Sequence, residues 1–166
     1  MQLQLRPATE DDVDALLSIL NTAIPWLTER GLDQWYGVPW RAEELTPGIA
    51  AGIVHLVSDG ATPVATMTLN PDADPAFWQP ADEPRCALYL THFGVDRSRG
   101  GQGIGTWMID QAAHRAAGDG KQWLRLDAWK SNTALHAYYR RQGFRHLRTV
   151  DVPGRGTGAL FQRPTD

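Results

Sequence analysis

The segment Val95-Asp96-Arg97-Ser98-Arg99-Gly100-Gly101-Gln102-Gly103-Ile104-Gly105-Thr106-Trp107-Met108 constrains this chain more than any other. It follows an apolar run, Ala87 to Val95, that reads as a strand. It opens a second run, Ile104 to Ala117, that reads as a helix. Four glycines stand within residues 100–105 at that junction. Glycine has no Cβ, so the backbone can curl tightly and come close to a ligand. A helix N-terminus offers unpaired N–H groups and the positive end of the dipole. Strand, glycine turn and helix together make a cradle for phosphate.

The rest of the chain frames this junction. Leu3 to Ala8 alternates as a first strand, and Thr9 with Asp12 resembles a capping box ahead of Val13, Leu16, Leu17 and Leu20 at helical spacing. Trp26 to Trp40 is aromatic and punctuated by Gly31, Gly37 and Pro39, which predicts a helical piece and a loop. Arg41 to Ala51 predicts another helix. Ile53–Ser58 and Pro63–Asn70 read as paired strands across a turn. Residues 71–85 hold four of the eleven prolines and read as a long loop. Beyond the glycine helix come a strand (Gln122 to Trp129), a helix (Asn132 to Gln142) and two closing strands (Arg145 to Val152, Ala159 to Arg163). On the 122–129 strand Leu124, Leu126 and Ala128 are expected on one face, with Trp123, Arg125, Asp127 and Trp129 on the other. With no repeat and no linker, the 166 residues read as a single mixed α/β domain over 1–166.

Bulk properties exclude several classes. No apolar run approaches a membrane span. Met1-Gln2-Leu3-Gln4-Leu5-Arg6 lacks a charged region followed by an apolar one, so no signal peptide is expected. The single cysteine, Cys86, excludes an internal disulfide framework and a cysteine-rich metal site, which suits a cytoplasmic setting. No His, Asp or Glu cluster has metal spacing, so no metal is expected. The net charge of −3 hides an asymmetry. Residues 1–96 carry 4 basic and 14 acidic residues, and residues 97–166 carry 12 basic and 5 acidic. Two ligands of opposite sign fit that split. The basic residues interleave with core positions, which disfavours nucleic acid.

Two phosphate motifs fail on inspection. A dinucleotide fingerprint needs a glycine where Thr106 or Met108 stands. A Walker loop needs a lysine where Thr106 stands. What does fit is spread over two segments. Gly103-Ile104-Gly105 resembles the second half of the phosphate loop of the GNAT superfamily, the Gcn5-related N-acetyltransferases. The upstream Arg or Gln of that loop is replaced here by Gly100, with Arg99 or Arg97 at hand to supply the side-chain contact. The segment Asn132 to Phe144 is similar to the same family's helix, whose tyrosine is followed by x-x-x-Gly-Phe: Tyr139, then Gly143-Phe144.

The resemblance implies a GNAT fold. This is a central mixed sheet of six to seven strands, splayed between the fourth and fifth (87–95 and 122–129), with about four flanking helices. It implies transfer of an acetyl group from acetyl-CoA to the primary amine of a small molecule in a ternary complex, by a monomer or homodimer, with no membrane partner. Phe93, Gly94 and Val95 would pair with pantetheine amides and polarise the thioester carbonyl. Arg99, Gly100, Gly101, Gln102, Gly103, Ile104, Gly105, Thr106 and Asn132 would bind the donor. Tyr139 would protonate the leaving thiolate, which is mildly uphill for an ordinary tyrosine of pKa ~10. The general base is open: His92 and Asp127 are the candidates beside a water chain. Trp26, Glu29, Asp33, Trp35, Asp74 and Tyr89 are the candidate acceptor residues, and the acidity of their half favours a cationic amine. Two rival readings stand beside this one: a silent acyl-CoA sensor, and an acetyltransferase acting on aminoacyl-tRNA.

Overall fold

The computed structural model describes residues 1–166. Its strands are β1 (Leu3–Pro7), β2 (Val54–Asp59), β3 (Thr62–Asn70), β4 (Ala87–Val95), β5 (Trp123–Trp129), β6 (Arg145–Thr149) and β7 (Thr157–Pro164). They form one mixed seven-stranded sheet in the order β1-β2-β3-β4-β5-β7-β6. The helices are α1 (Val13–Asn21), α2 (Ala23–Glu29), α3 (Ala42–Ala50), α4 (Ile104–Gly118) and α5 (Thr133–Arg141). The chain divides into two compact units, Met1–Leu69 with His92–Gly105, and Asn70–Thr91 with Thr106–Asp166, so β4 contributes residues to each.

In the first unit β1 and β2 pair antiparallel, as do β2 and β3, with a register shift between Val57 and Ser58. On α1 the spacing of Leu16, Ile19 and Leu20 places three buried side chains on one face. They share a core with Ala8, Leu45, Ile49, Val54 and Leu56. Each such aliphatic side chain contributes at most about 1.5–3 kcal/mol through burial. A 3₁₀ turn, Glu10–Asp12, precedes α1. The Asp12 carboxylate accepts from the Thr9 N–H at 2.7 Å and pairs with Arg6 at 2.7 Å. Residues 13–29 form two helices, α1 and α2, which brings the α-helices to five where about four were expected. Pro25 has no N–H to give to Asn21, and the Thr22 hydroxyl donates to the Ile19 carbonyl at 2.8 Å.

In the second unit β4 and β5 pair in parallel from Ala87↔Trp123 to Tyr89↔Arg125, where the ladder ends although both strands continue. Strand β7 lies between β5 and β6, antiparallel to both. Both faces of β5 are covered: Arg125 and Trp129 are buried along with Leu124, Leu126 and Ala128. β6 stops at Thr149, short of Val152, and β7 starts at Thr157, ahead of Ala159. Beyond β6 the Val150 N–H still reaches the Gly158 carbonyl at 2.9 Å. The loop predicted over 71–85 runs through 71–86, with short 3₁₀ turns at Pro80–Asp82 and Pro84–Cys86. Its Phe77 and Trp78 are buried against Tyr89 and Leu160. Arg148 grips both carboxylate oxygens of Asp82 at 3.0 and 2.6 Å and the Phe77 carbonyl at 3.1 Å. No helix of the protein is long and apolar enough to cross a membrane.

Candidate active site

The glycine turn belongs to the first unit. The Asp96 N–H donates to the Val64 carbonyl at 2.8 Å, which fixes the end of β4. The Asp96 carboxylate accepts from the backbone N–H of Ser98 at 2.9 Å and from its hydroxyl at 2.8 Å. This closes a 3₁₀ turn over Arg97–Arg99. Gly101 and Gly103 then adopt φ of +77° and +79°, the left-handed region that a side chain disfavours. A Cβ at either would meet no atom within 4 Å, so the requirement for glycine is conformational and the space around the turn is open. Gly100 to Gly103 are exposed, while Ile104, Met108 and Ile109 are buried and anchor the helix behind them. The N-terminal N–H groups of α4 thus lie at an exposed, glycine-built turn, an arrangement that suits an anion. Gln102 and Thr106 are exposed on either side of the helix start.

Two arginines flank the turn with different fates. Arg99 Nη1 pairs with Asp59 at 2.8 Å. The Arg97 guanidinium lies over the Trp26 ring at 3.9 Å, with that of Arg30 on the same ring at 4.0 Å. Trp26, expected to receive an acceptor, has its ring occupied by the protein's own cations. Glu29 and Asp33 are exposed. Trp35 and its neighbour Tyr36 take φ of +59° and +53° in a turn over Gln34–Gly37. The Trp35 ring meets Trp40 edge-on at 5.4 Å.

The end of β4 departs from strict alternation at His92, whose φ is +44°. Gly94, two residues on, carries no positive φ. Gly94 has a different reason to be glycine: a Cβ there would come within 3.0 Å of Leu20 on α1. Phe93, Gly94 and Val95 are half-buried. The His92 ring packs edge-on against Trp40 at 4.8 Å, with Nδ1 at 3.4 Å from the Thr68 hydroxyl. Burial pushes its pKa below the ordinary histidine value, and the Glu44 charge opposes this only in part. A neutral imidazole at neutral pH has a free lone pair to offer a proton.

The second unit holds the remaining candidates. Tyr139, on the last turn of α5, is buried among Tyr138, Phe144 and Phe161 at ring separations of 5.6, 5.5 and 6.0 Å. Burial drives its pKa well above the ordinary tyrosine value, aided by Tyr138 and Asp127. Its proton is therefore held more tightly than the free side chain suggests. Tyr138, half-buried, shares a hydrogen bond with Thr106. Asn132 caps α5, its side-chain oxygen accepting from the Leu135 N–H at 3.1 Å. Burial raises the Asp127 carboxyl above its ordinary value, although a hydrogen bond from Thr157 and the charge of Arg155 pull the other way. Asp74 pairs with Arg155 at 2.9 Å. Tyr89 is buried, its hydroxyl donating to the Pro84 carbonyl at 2.8 Å and lying 3.2 Å from Arg125 Nη1. No group of three or more His, Cys, Asp or Glu side chains is placed to hold a metal ion.

The profile of the Acetyltransferase (GNAT) family matches residues 16–144. The chain belongs to this family. The GNAT chain is 28% identical over 146 residues to the uncharacterized N-acetyltransferase YesJ of Bacillus subtilis, covering 85% of this chain and 81% of that one. Its fold is shared with a GNAT acetyltransferase of Listeria monocytogenes (TM-score 0.80, 22% identity, 98% and 94% of the two chains covered). The same holds for the PaiA N-acetyltransferase of Thermoplasma acidophilum, solved with coenzyme A (TM-score 0.73, 15% identity, 99% of each chain). It holds again for YncA of Salmonella typhimurium, solved with acetyl-CoA (TM-score 0.70, 16% identity, 100% and 95%).

As a GNAT acetyltransferase the protein takes its acetyl group from acetyl-CoA. Sequence reasoning missed two residues of this GNAT domain. Arg125 is buried and donates to Gln162 at 3.1 Å and to the Asp82 carbonyl at 2.7 Å. Its one sequence signal was an arginine between Leu124 and Leu126. Arg30 gave none, because its role depends on the ring it shares with Arg97.

Proposed function

We propose that the protein transfers the acetyl group of acetyl-CoA to the primary amine of a small molecule, by direct attack in a ternary complex. The observation that carries this reading is the open, left-handed turn at Gly101 and Gly103 ahead of α4. The N–H groups of residues 100–105 bind the pyrophosphate, and Asn132 contacts the pantetheine side of the donor. Backbone groups of Phe93, Gly94 and Val95 pair with the pantetheine amides, and an N–H there stabilises the developing oxyanion. The amine lone pair forms the C–N bond while the carbonyl π pair moves to oxygen. Collapse of the tetrahedral species breaks the C–S bond. The ammonium proton leaves through His92 or a water chain, with Asp127 as the second candidate base. Holding both substrates together supplies much of the acceleration.

Tyr139 completes the reaction by donating its proton to the thiolate. Its raised pKa keeps it protonated at every working pH. The same burial makes it a weaker acid, so donation is favourable only to a thiolate that is itself desolvated. The acceptor is a small amine. Exposed Glu29 and Asp33 favour a cationic one, with Trp35 and Asp74 as further contacts. The hydroxyl of Tyr89 is committed to Pro84, which leaves its ring for packing.

Tyr139→Phe removes only the hydroxyl. The expected result is a kcat lower by about 10- to 100-fold with little change in CoA affinity, as for a group acting in the transition state. A kcat within about twofold of the parent assigns Tyr139 to packing. Thiol release across a panel of amines separates this enzyme from a silent sensor, which would bind acetyl-CoA and turn over none.

A further inference from the structure

The donor turn lacks the arginine or glutamine that the family resemblance leads one to expect at residue 100, and the structure shows what stands there instead. A Cβ built on Gly100 would lie 3.3 Å from Arg97 Nη2 and 3.7 Å from its Cζ. The guanidinium of Arg97 therefore covers the place from which a side chain at residue 100 would spring. The backbone of Arg97 is fixed by the turn. The Arg97 N–H approaches the Thr22 hydroxyl at 3.4 Å, and the Arg97 carbonyl accepts from the Gly100 N–H at 3.2 Å. The guanidinium rests on the Trp26 ring at 3.9 Å. Such a platform fixes a cation without neutralising it.

The charge is left uncompensated. Arg99 is paired with Asp59, and the Asp96 carboxylate is turned to Ser98, but no carboxylate pairs with Arg97. The buried Arg97 Nε has no hydrogen-bond partner. A second cation, Arg30, lies on the same ring at 4.0 Å and is tied only to the Trp26 carbonyl at 3.2 Å. Burial and the Arg30 charge both lower the Arg97 pKa, the sign of two cations held together with no anion between them. Like charges at close range are unfavourable in isolation and favour an incoming anion.

We infer that the Arg97 guanidinium, seated on Trp26 beside Arg30, replaces the missing side chain of residue 100 and holds a phosphate group of the CoA donor. Gly100 is glycine so that Arg97 can lie across it. The inference rests on acetyl-CoA being the donor and adds the residues that bind it through side chains. The shared chemistry is a phosphate ester dianion or a pyrophosphate, and both occur in CoA.

The test measures affinity for CoA and for dephospho-CoA, which lacks the 3′-phosphate, by calorimetry. Arg97→Ala is expected to raise the CoA Kd by about tenfold or more. It should also flatten the salt dependence of binding. Arg30→Gln, at an exposed position, should raise the Kd by about threefold without affecting folding. The decisive variant is Arg97→Ala combined with Gly100→Arg. The backbone at residue 100, with φ −59° and ψ 145°, accepts any side chain, so the new arginine should recover most of the lost affinity. An equal penalty with CoA and dephospho-CoA places the contact on the pyrophosphate. A penalty seen only with CoA places it on the 3′-phosphate. A Kd within about twofold of the parent for Arg97→Ala with both ligands overturns the inference, as does a double variant no better than Arg97→Ala. Failure of the parent protein to bind CoA at all overturns the donor assignment, and this inference with it.

Discussion

Two glycine-rich turns in this molecule look alike in sequence and do opposite things. Around Gly101 and Gly103 an added Cβ meets nothing within 4 Å. Around Gly156 it would sit 2.1 Å from the Trp129 ring, and at Gly158 2.1 Å from the Val150 carbonyl oxygen. In the second turn Gly156 and Gly158 are glycine because the chain's own parts fill the space, while Gly154 beside them is left-handed and open. The first is glycine because the backbone is left-handed, and its space is empty. Glycine content alone marks a tight turn. What the surroundings add is whether the room is filled by the protein or left open.

The sharpest way to break this contrast is to place a methyl group at each turn. Gly156→Ala should be the larger blow, because the Trp129 ring is buried and cannot retreat. Overpacking of this kind costs about 3 kcal/mol. The check is thermal melting, with CoA affinity of whatever remains folded close to the parent's. A melting temperature within a degree of the parent's would show the Trp129 contact to be soft.

Gly103→Val should invert the pattern. It forces a β-branched residue into a left-handed φ at an exposed turn. The expected loss is about tenfold or more in CoA affinity, roughly 1.4 kcal/mol, with a smaller loss of stability. Unchanged affinity by calorimetry in the folded variant would remove the phosphate role from this turn.

A third substitution asks whether the partition also holds within the unit that carries the turn at Gly101 and Gly103. Arg6 holds the Asp12 carboxyl down to a pKa of about 2 from an ordinary 3.8. A depressed folded pKa contributes stability that is present above the unfolded value and lost as pH falls from about 4 through about 2. With Arg6 half-exposed, Asp12→Asn should cost about 1 kcal/mol at neutral pH and little at pH 2, without moving CoA affinity. A cost that does not shrink on acidification would assign Asp12 to the turn hydrogen bond with Thr9 rather than to its charge.

How much of this was legible in the sequence depends on the range of the interaction. The bounds of β4 and the start of α4 were plain, because an apolar run and a glycine-to-helix junction are local signals. So was the Thr9–Asp12 cap. The positive φ of His92 was not legible, since alternation is the default for any strand and nothing local to His92 announces a break. The cover over Trp26 was equally hidden. Arg97 reaches it from 71 positions along the chain, and only the fold brings them together. Arg125 and Arg148 were hidden for the same reason, since their partner Asp82 lies in a loop with no period to read. The resemblance supplied the family and the roles proposed for Tyr139 and Asn132. It could not say which arginine stands in for residue 100.

The clamp on residues 71–86 has a consequence for any acceptor that reaches Asp74. A loop of that length left free would lose conformational freedom, on the order of 1 kcal/mol per residue, whenever a ligand settled against it. Here Phe77 and Trp78 are buried and Asp82 is gripped by Arg148, so the segment is already ordered by folding. Its sequence is thus free to drift between those fixed points, altering the chemistry it exposes while its stiffness stays the same.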